Sequence, residues 1–421
     1  MATHHSLAQH LHRAAAQYPD APALLAAENA WSFAELQTEM QHLATRHDGA
    51  QDASIERGNS LHLARQAYAC SLANRPFWPV DRLPPATAAK LPGVALIIST
   101  SGSEGQPRAV LLGNAQLDAA AAASNEHLPL GPGDLWLNCL PLYHIGGQSI
   151  LWRCARAAAT VLLHDGFAAR AVAEDLARQP VTHISLVPAM LARLLELGVK
   201  PPPSLRVTLI GGAALSLPLY QAACAAGWPL FPSYGMSETA AQLATHAPVD
   251  GPWREGLVGR PMPGHEIRIG DDGRIRLRGP QVMLGYLNGG GTDADGWLTT
   301  GDLGYLTADG RLTVTGRADD MLVSGGRNVH PLEVESCLAA CPGVRDVAVT
   351  GRPDPIWGDL VVALIVGPVA PATLLAHARQ HLPTAAVPRQ LLFLERLPRN
   401  PTGKLERTAL RRLATEAGST A

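Results

Sequence analysis

Between Ser99 and Arg108 the chain reads Ser-Thr-Ser-Gly-Ser-Glu-Gly-Gln-Pro-Arg, directly after an apolar run. Small hydroxyl residues and glycines let backbone N–H groups converge on phosphate oxygens, and the hydroxyls add donors of their own. In composition this is a phosphate cradle. No GxxxxGK[ST] spacing occurs, so it is not a Walker A loop; taken alone, a Ser/Gly stretch after a strand is more often a plain turn. Three further segments concentrate useful groups: Ser233-Tyr-Gly-Met-Ser-Glu-Thr239, Thr300-Gly-Asp-Leu-Gly304 leading to Gly316-Arg-Ala-Asp-Asp320, and Asn400-Pro-Thr-Gly-Lys404. Lysine stands only at 90, 200 and 404, and every other basic position is arginine. A lysine kept in so arginine-biased a chain is a candidate for a place where a planar guanidinium does not fit.

Such residues need a scaffold to gather on. Residues 94–98 form a compact β-rich run that stops at the Ser/Thr/Gly cluster, and such a stop is where open α/β sheets bind ligands. Residues 135–140, 160–163, 183–187 and 207–210 read as further strands between helical stretches, which implies a mostly parallel, helix-covered sheet. Near the N-terminus, Leu7, Leu11 and Ala15 are helix-spaced, 24–31 is a β stretch, and Ser32 caps a second helix. After Pro252 short strands with DG and NG turns follow, at 266–269, 274–277 and 311–314, as in an antiparallel, hairpin-rich subdomain. From about residue 319 onward, helix (331–340, 371–381) and strand (344–350, 361–366) mix as in a small α+β lobe. The expected fold class is α/β, with a large lobe over 1–317 and a small lobe over 318–421.

A chain of 421 residues, 47% hydrophobic and 17% charged, has ample material for two cores. Its 34 basic and 36 acidic side chains leave a formal charge of −2, with no electrostatic footprint for a nucleic acid or an anionic membrane. The six cysteines stand singly, without CxxC or metal-ligand spacing, and read as buried free thiols in a reducing compartment. No basic-then-apolar leader and no run of roughly 20 apolar residues is seen, so a cytoplasmic protein is expected.

In this order and at comparable distances, the four segments resemble the signature motifs of the adenylate-forming superfamily, which holds acyl-CoA synthetases, firefly luciferase and peptide-synthetase adenylation domains. The resemblance implies ATP and Mg²⁺ as cofactors, a small carboxylic acid as substrate, and a thiol acceptor, CoA or a carrier-protein phosphopantetheine. It implies that Thr100, Ser101, Gly102, Ser103, Gly105 and Arg108 wrap the phosphates, and that Gly211, Gly212 and Ala213 form the adenine turn. Tyr234, Gly235 and Ser237 belong to the nucleotide site, Glu238 holds Mg²⁺, Asp302 takes the ribose hydroxyls and Arg317 reaches the nucleotide. Lys404 matches the catalytic lysine. Asp319 matches the hinge of a mobile small lobe, and Gly325, Gly326 and Arg327 match the loop lining a thiol tunnel. Leu140-Pro-Leu-Tyr-His-Ile-Gly-Gly-Gln148 resembles the acyl and aryl branch, where the His144 position lines the acid pocket; with Trp152-Arg153 and Ser185-Leu-Val-Pro188 it is most similar to the o-succinylbenzoate–CoA ligase branch.

Two positions depart from the pattern. Glu104 places an acid in the phosphate loop, and Arg108 replaces the usual lysine while keeping its charge. These departures motivate one competing reading, a non-catalytic nucleotide-binding homologue; the other is an aryl-acid ligase loading a carrier protein. A dinucleotide oxidoreductase fails for want of a GxGxxG after a first strand.

Overall fold

Strands Leu135–Asn138, Thr160–Leu163, His183–Leu186 and Val207–Ile210 are buried at every position. That suits strands covered by helices on both faces, and they do pair in parallel. Strand Arg274–Arg278 instead alternates buried and half-buried residues and pairs antiparallel with Glu266–Ile269 and Leu298–Leu306. In the computed structural model, which describes residues 4–47, 49–50, 52–84, 91–100, 108–400 and 403–417, both kinds share one 13-stranded order. The antiparallel region read from the sequence is therefore hydrogen-bonded onto the parallel one.

The seam is strand Leu230–Met236. It pairs in parallel with Val207–Ile210 on one side and antiparallel with Ala241–Thr245 on the other. The register slips between Tyr234 and Gly235. A Cβ on Gly235 would lie 1.8 Å from the Ala241 carbonyl oxygen, so only glycine fits this crossing. Where the chain changes partners, its last residues are left to turn out of the sheet.

A second, five-stranded sheet contains Phe77–Pro79, Leu96–Thr100, Arg108–Leu112 and Gly285–Tyr286. The sequence suggested a ligand-binding stop at the end of an open α/β sheet. Instead Leu96–Thr100 and Arg108–Leu112 are antiparallel partners. The N-terminal helices follow the sequence reading. Leu7–Gln17 and Phe33–Ala44 each begin with a serine capping box, Ser6 with Gln9 and Ser32 with Glu35. The 24–31 stretch is a hairpin of Pro22–Ala26 and Asn29–Ser32.

In the C-terminal part, strand Gly358–Val366 lies between two cores. Val361, Ala363 and Ile365 face helices Pro331–Ala339 and Pro371–His381, while Val362, Leu364 and Val366 face Leu410 and Ala414 of helix Arg407–Glu416. Its apolar run is continuous because both faces are covered. Cys70, Cys139, Cys154 and Cys341 are buried free thiols as expected, but Cys224 is exposed and Cys337 only half-buried. Among the described residues no helix is long and apolar enough to cross a membrane.

Candidate active site

The motif at the end of the seam strand is a single turn of 3-10 helix, Ser237–Thr239. The Thr239 hydroxyl accepts from the Met236 amide at 3.1 Å and donates to the Ala241 carbonyl at 3.0 Å. These bonds hold Ala240 and Ala241 at φ of 50° and 96°, unfavourable for residues with a Cβ. The strain aims Glu238 away from the sheet. Its carboxylate accepts from the Tyr286 hydroxyl at 2.9 Å, and the Arg108 guanidinium lies over the Tyr286 ring, 5.3 Å from its centroid. Burial, then the Glu238 charge, pushes the Tyr286 phenol up to about 12, so it stays a donor.

On the seam strand itself, the Tyr234 hydroxyl donates to Asp302 of strand Leu298–Leu306 at 2.7 Å. Arg317 reaches the other Asp302 oxygen at 3.3 Å. Burial and the Asp302 charge hold the Tyr234 phenol far above its usual range. The turn after Val207–Ile210 closes the floor: Gly212 has φ of +78°, and a Cβ there would lie 3.5 Å from Lys404 Cε. Gly211 sits against Ser233, whose hydroxyl donates to the Ile210 carbonyl at 2.9 Å; Ala213 is exposed at the rim.

Lys404 comes to this cleft from the far end of the chain. Its turn is self-contained: the Gly403 amide donates to the Asn400 carbonyl at 2.8 Å, and the Lys404 amide to the Asn400 side chain at 3.0 Å. Gly403, at φ of +79°, rests on Val187 and Ala189 of the large lobe. The Lys404 side chain keeps access to solvent, as befits a group in an open cleft. Surrounding protein nevertheless lowers its pKa through burial and the Arg317 charge, against the pull of Asp302 and Glu238. Four separate sequence motifs thus meet around one ammonium.

His144 forms the N-cap of helix Ile145–Ala157 and tilts against Tyr143, ring centroids 4.7 Å apart. Burial, then the nearby Lys404 charge, brings its pKa down to about 4 against the attraction of Asp81, so it is neutral near pH 7. Nine residues on, Arg153 is buried over Trp136, with its Nε unpartnered and no ion pair to a carboxylate among the described residues. Burial pushes its pKa down to about 10.

The remaining expected site residues divide into three groups. Thr100 ends its strand and donates its hydroxyl to the Arg108 carbonyl at 3.2 Å, whereas Ser101, Gly102, Ser103, Glu104 and Gly105 lie outside the described residues. Asp319 is in the turn Ala318–Asp320, its carboxylate 3.7 Å from Arg317 and 3.9 Å from Arg274. Gly325 and Gly326, at φ of +57° and +74°, form the two-residue turn between Leu322–Ser324 and Arg327–Val329, a hairpin packed on Trp357 rather than gathered around Lys404. Sequence reasoning missed Tyr286, Asp81 and the Gly403–Val187 contact. Tyr286 stands in a Gly-rich stretch whose only local signal is a turn, and its partners lie 48 and 178 positions away in the chain.

The arrangement gathers hydroxyl, carboxylate, guanidinium and ammonium groups suited to a nucleotide. Glu238, a hard oxygen ligand with one carboxylate oxygen not engaged by Tyr286, fits Mg²⁺. Residues 48–287 match the AMP-binding enzyme family, and residues 333–404 match the AMP-binding enzyme C-terminal domain. This chain belongs to the AMP-binding enzyme family. Within the family it is 38% identical to a 2-succinylbenzoate–CoA ligase of Bacillus subtilis, over 76% of this chain and 69% of the relative. A Listeria monocytogenes enzyme of that name is 36% identical over 75% and 69%. The B. subtilis o-succinylbenzoate CoA synthetase bound to its acyl-adenylate, OSB-AMP, superposes with a TM-score of 0.85 at 30% identity, over 97% of this chain and 99% of that one. A double mutant of the same enzyme bound to the product analogue OSB-NCoA superposes at 0.69, with identity again 30% and coverage of 95% and 97%.

Proposed function

We infer that this AMP-forming acid–CoA ligase acts on 2-succinylbenzoate. The observation that carries the ligase chemistry is Lys404, seated with Glu238, Asp302 and Arg317 although 166, 102 and 87 positions of sequence separate it from them. The acid's carboxylate oxygen attacks the α-phosphorus of ATP as the bond to pyrophosphate breaks, and negative charge grows on the phosphoryl oxygens. Lys404 is the cation aimed at that charge. Asp302 holds the ribose hydroxyls, kept in place by Tyr234 and Arg317; Ser237 touches the α-phosphate; Gly211, Gly212 and Ala213 let the base approach the backbone closely. Glu238 would hold Mg²⁺, which when bound would supply charge neutralisation on the phosphates. In the second step the CoA thiol attacks the acyl carbonyl, the bond to AMP breaks, and the thiol proton leaves to solvent. Lys404 must vacate the carbonyl first, so we place the lobe boundary at 317/318, with Asp319 as hinge and Gly325, Gly326 and Arg327 on the face that then meets the thiol.

Arg153 favours an acid with a second carboxylate. It lies nine residues beyond His144 on the same helix, roughly 13 Å along the axis at 1.5 Å per residue and two and a half turns on, over the Trp136 ring. A buried, unpaired guanidinium is costly until an anion joins it. A 2-succinylbenzoate molecule activated at one carboxylate keeps the other free, and relatives similar to this chain carry that acid in their names.

Carboxylate-dependent pyrophosphate–ATP exchange across succinylaryl, aryl and fatty acids tests the reading. Exchange is expected with 2-succinylbenzoate and not with hexadecanoate, and Lys404→Ala should lower it by about 10²–10³-fold. Retained exchange in that variant would discard the catalytic assignment, and a preference for the fatty acid would discard the substrate.

A further inference from the structure

The small lobe carries a second cluster of reactive side chains, on the face of its sheet covered by helices Pro331–Ala339 and Pro371–His381. Cys337 projects from the first helix, and His377 and His381 from the second. One ligand atom from each, the thiol sulfur and a ring nitrogen of both histidines, lies within 4.8 Å of the others. A pair of histidines four apart shares one helix face, and here their rings are tilted at 4.4 Å between centroids. The thiol arrives from a separate element, 40 positions away in sequence, so helix periodicity alone does not account for the meeting.

One nitrogen of each ring has a backbone carbonyl partner. His377 Nε2 lies 3.0 Å from the Cys337 carbonyl, and His381 Nδ1 lies 2.9 Å from the His377 carbonyl. In the neutral rings these contacts take the N–H and leave His377 Nδ1 and His381 Nε2 with the lone pairs. Carbonyl support behind a ring nitrogen is the arrangement that orients metal-bound imidazoles. Beneath the three side chains Leu338, Leu374 and Ala378 are fully buried, which fixes the two helices against each other. Glu333, one turn before Cys337, adds negative charge.

We propose that Cys337, His377 and His381 form a binding site for a borderline-soft divalent transition metal, Zn²⁺ foremost, separate from the nucleotide cleft. One thiolate and two imidazoles are a set that zinc accepts, and water or a further ligand completes the tetrahedron. Mg²⁺, which seeks oxygen ligands, does not compete for it. Sequence spacing gave no sign of the site, because its ligands come from two helices with two long strands between them.

The test uses the full-length protein, stripped with a chelator and titrated with Co²⁺ as an optical stand-in for Zn²⁺. One equivalent should produce a sulfur-to-cobalt charge-transfer band with the visible bands of a tetrahedral ion, and Zn²⁺ should abolish both. Cys337→Ser should remove the charge-transfer band. His381→Ala, an exposed position that leaves the core intact, should weaken Co²⁺ binding by roughly 100-fold, the upper end of the effect of disturbing a metal ligand's support. Circular dichroism and Mg·ATP binding confirm that each variant is folded. Absence of the charge-transfer band in the wild-type protein at stoichiometric Co²⁺ overturns the proposal, as does undiminished binding in a folded His381→Ala protein. Loss of binding on changing His4 and His5 instead would move the site to the N-terminus and overturn it equally.

Discussion

Replacing Gly403 with alanine separates the two half-reactions. A Cβ at this position would sit 3.0 Å from Val187 Cγ2 and 3.5 Å from Ala189 Cβ. The first distance is tighter than side chains ordinarily tolerate, and Val187 is itself buried at 6% exposure, with little room to withdraw. Overpacking of this kind costs about 1–3 kcal/mol. That cost exists only while the turn rests on the large lobe, the arrangement in which Lys404 faces Asp302 and Glu238. At 1.36 kcal/mol per decade, adenylate formation should slow by about 5- to 150-fold. The left-handed backbone adds roughly 1–2 kcal/mol for alanine, but this strain belongs to a turn held by its own bonds to Asn400 and Arg399, and travels with it. Thioester formation from pre-made acyl-adenylate should therefore be slowed much less. The assay pairs pyrophosphate–ATP exchange with single-turnover transfer from adenylate to CoA. Equal losses in both, or no loss of exchange, would show that the Gly403–Val187 contact does not belong to the adenylating arrangement alone.

Tyr286→Phe removes the donor that orients Glu238; a hydrogen bond to a charged group contributes about 1.5–3 kcal/mol, so the Kd for Mg·ATP, measured by titration calorimetry, should rise at least about tenfold. Arg153→Met should raise the KM for 2-succinylbenzoate by about 10- to 150-fold on the same scale, while the Tm of the ligand-free protein is unchanged or higher because an unpaired buried charge is gone. The histidines give a pH signature. His144 and His183 are both held near 4 by burial, below the unfolded value of 6.5. Between those values the unfolded chain binds more protons, so the unfolding free energy rises with pH from about 4 to 6.5 and is lost as pH falls through that window. Urea denaturation at several pH values checks this, and a His183→Gln protein should show a shallower slope.

How much of this was legible depended on whether the controlling interaction was local. The capping serines at 6 and 32, the helix-spaced leucines and the fully buried strands 160–163 and 207–210 each follow from neighbours a few residues away, and they stand where the sequence puts them. Strand 96–100 does not reveal that its partner is 108–112 rather than another parallel strand, since an apolar run reads the same in either setting. The seam strand was harder still. The residues 230–236 change from parallel to antiparallel neighbours, and the sign of that change is Gly235, whose need for a missing Cβ appears only once Ala241 is laid across it.

That crossing also explains why the site lies where it does. A strand with parallel neighbours on both sides passes into a connection covered by helices, and its end is shaped by packing. Leu230–Met236 has an antiparallel partner that returns immediately, through Ala240 and Ala241 in left-handed conformations, so Ser237 and Glu238 are forced out at the point of reversal. The antiparallel strands that follow carry Asp302 and Arg317, and Asp302 bonds to both Tyr234 and Arg317. The Tyr234–Asp302 bond spans 68 positions and ties the carboxylate to the seam strand itself. Side chains from distant parts of the chain therefore meet because one strand has two kinds of neighbour, and Lys404 joins them from the C-terminal part of the chain.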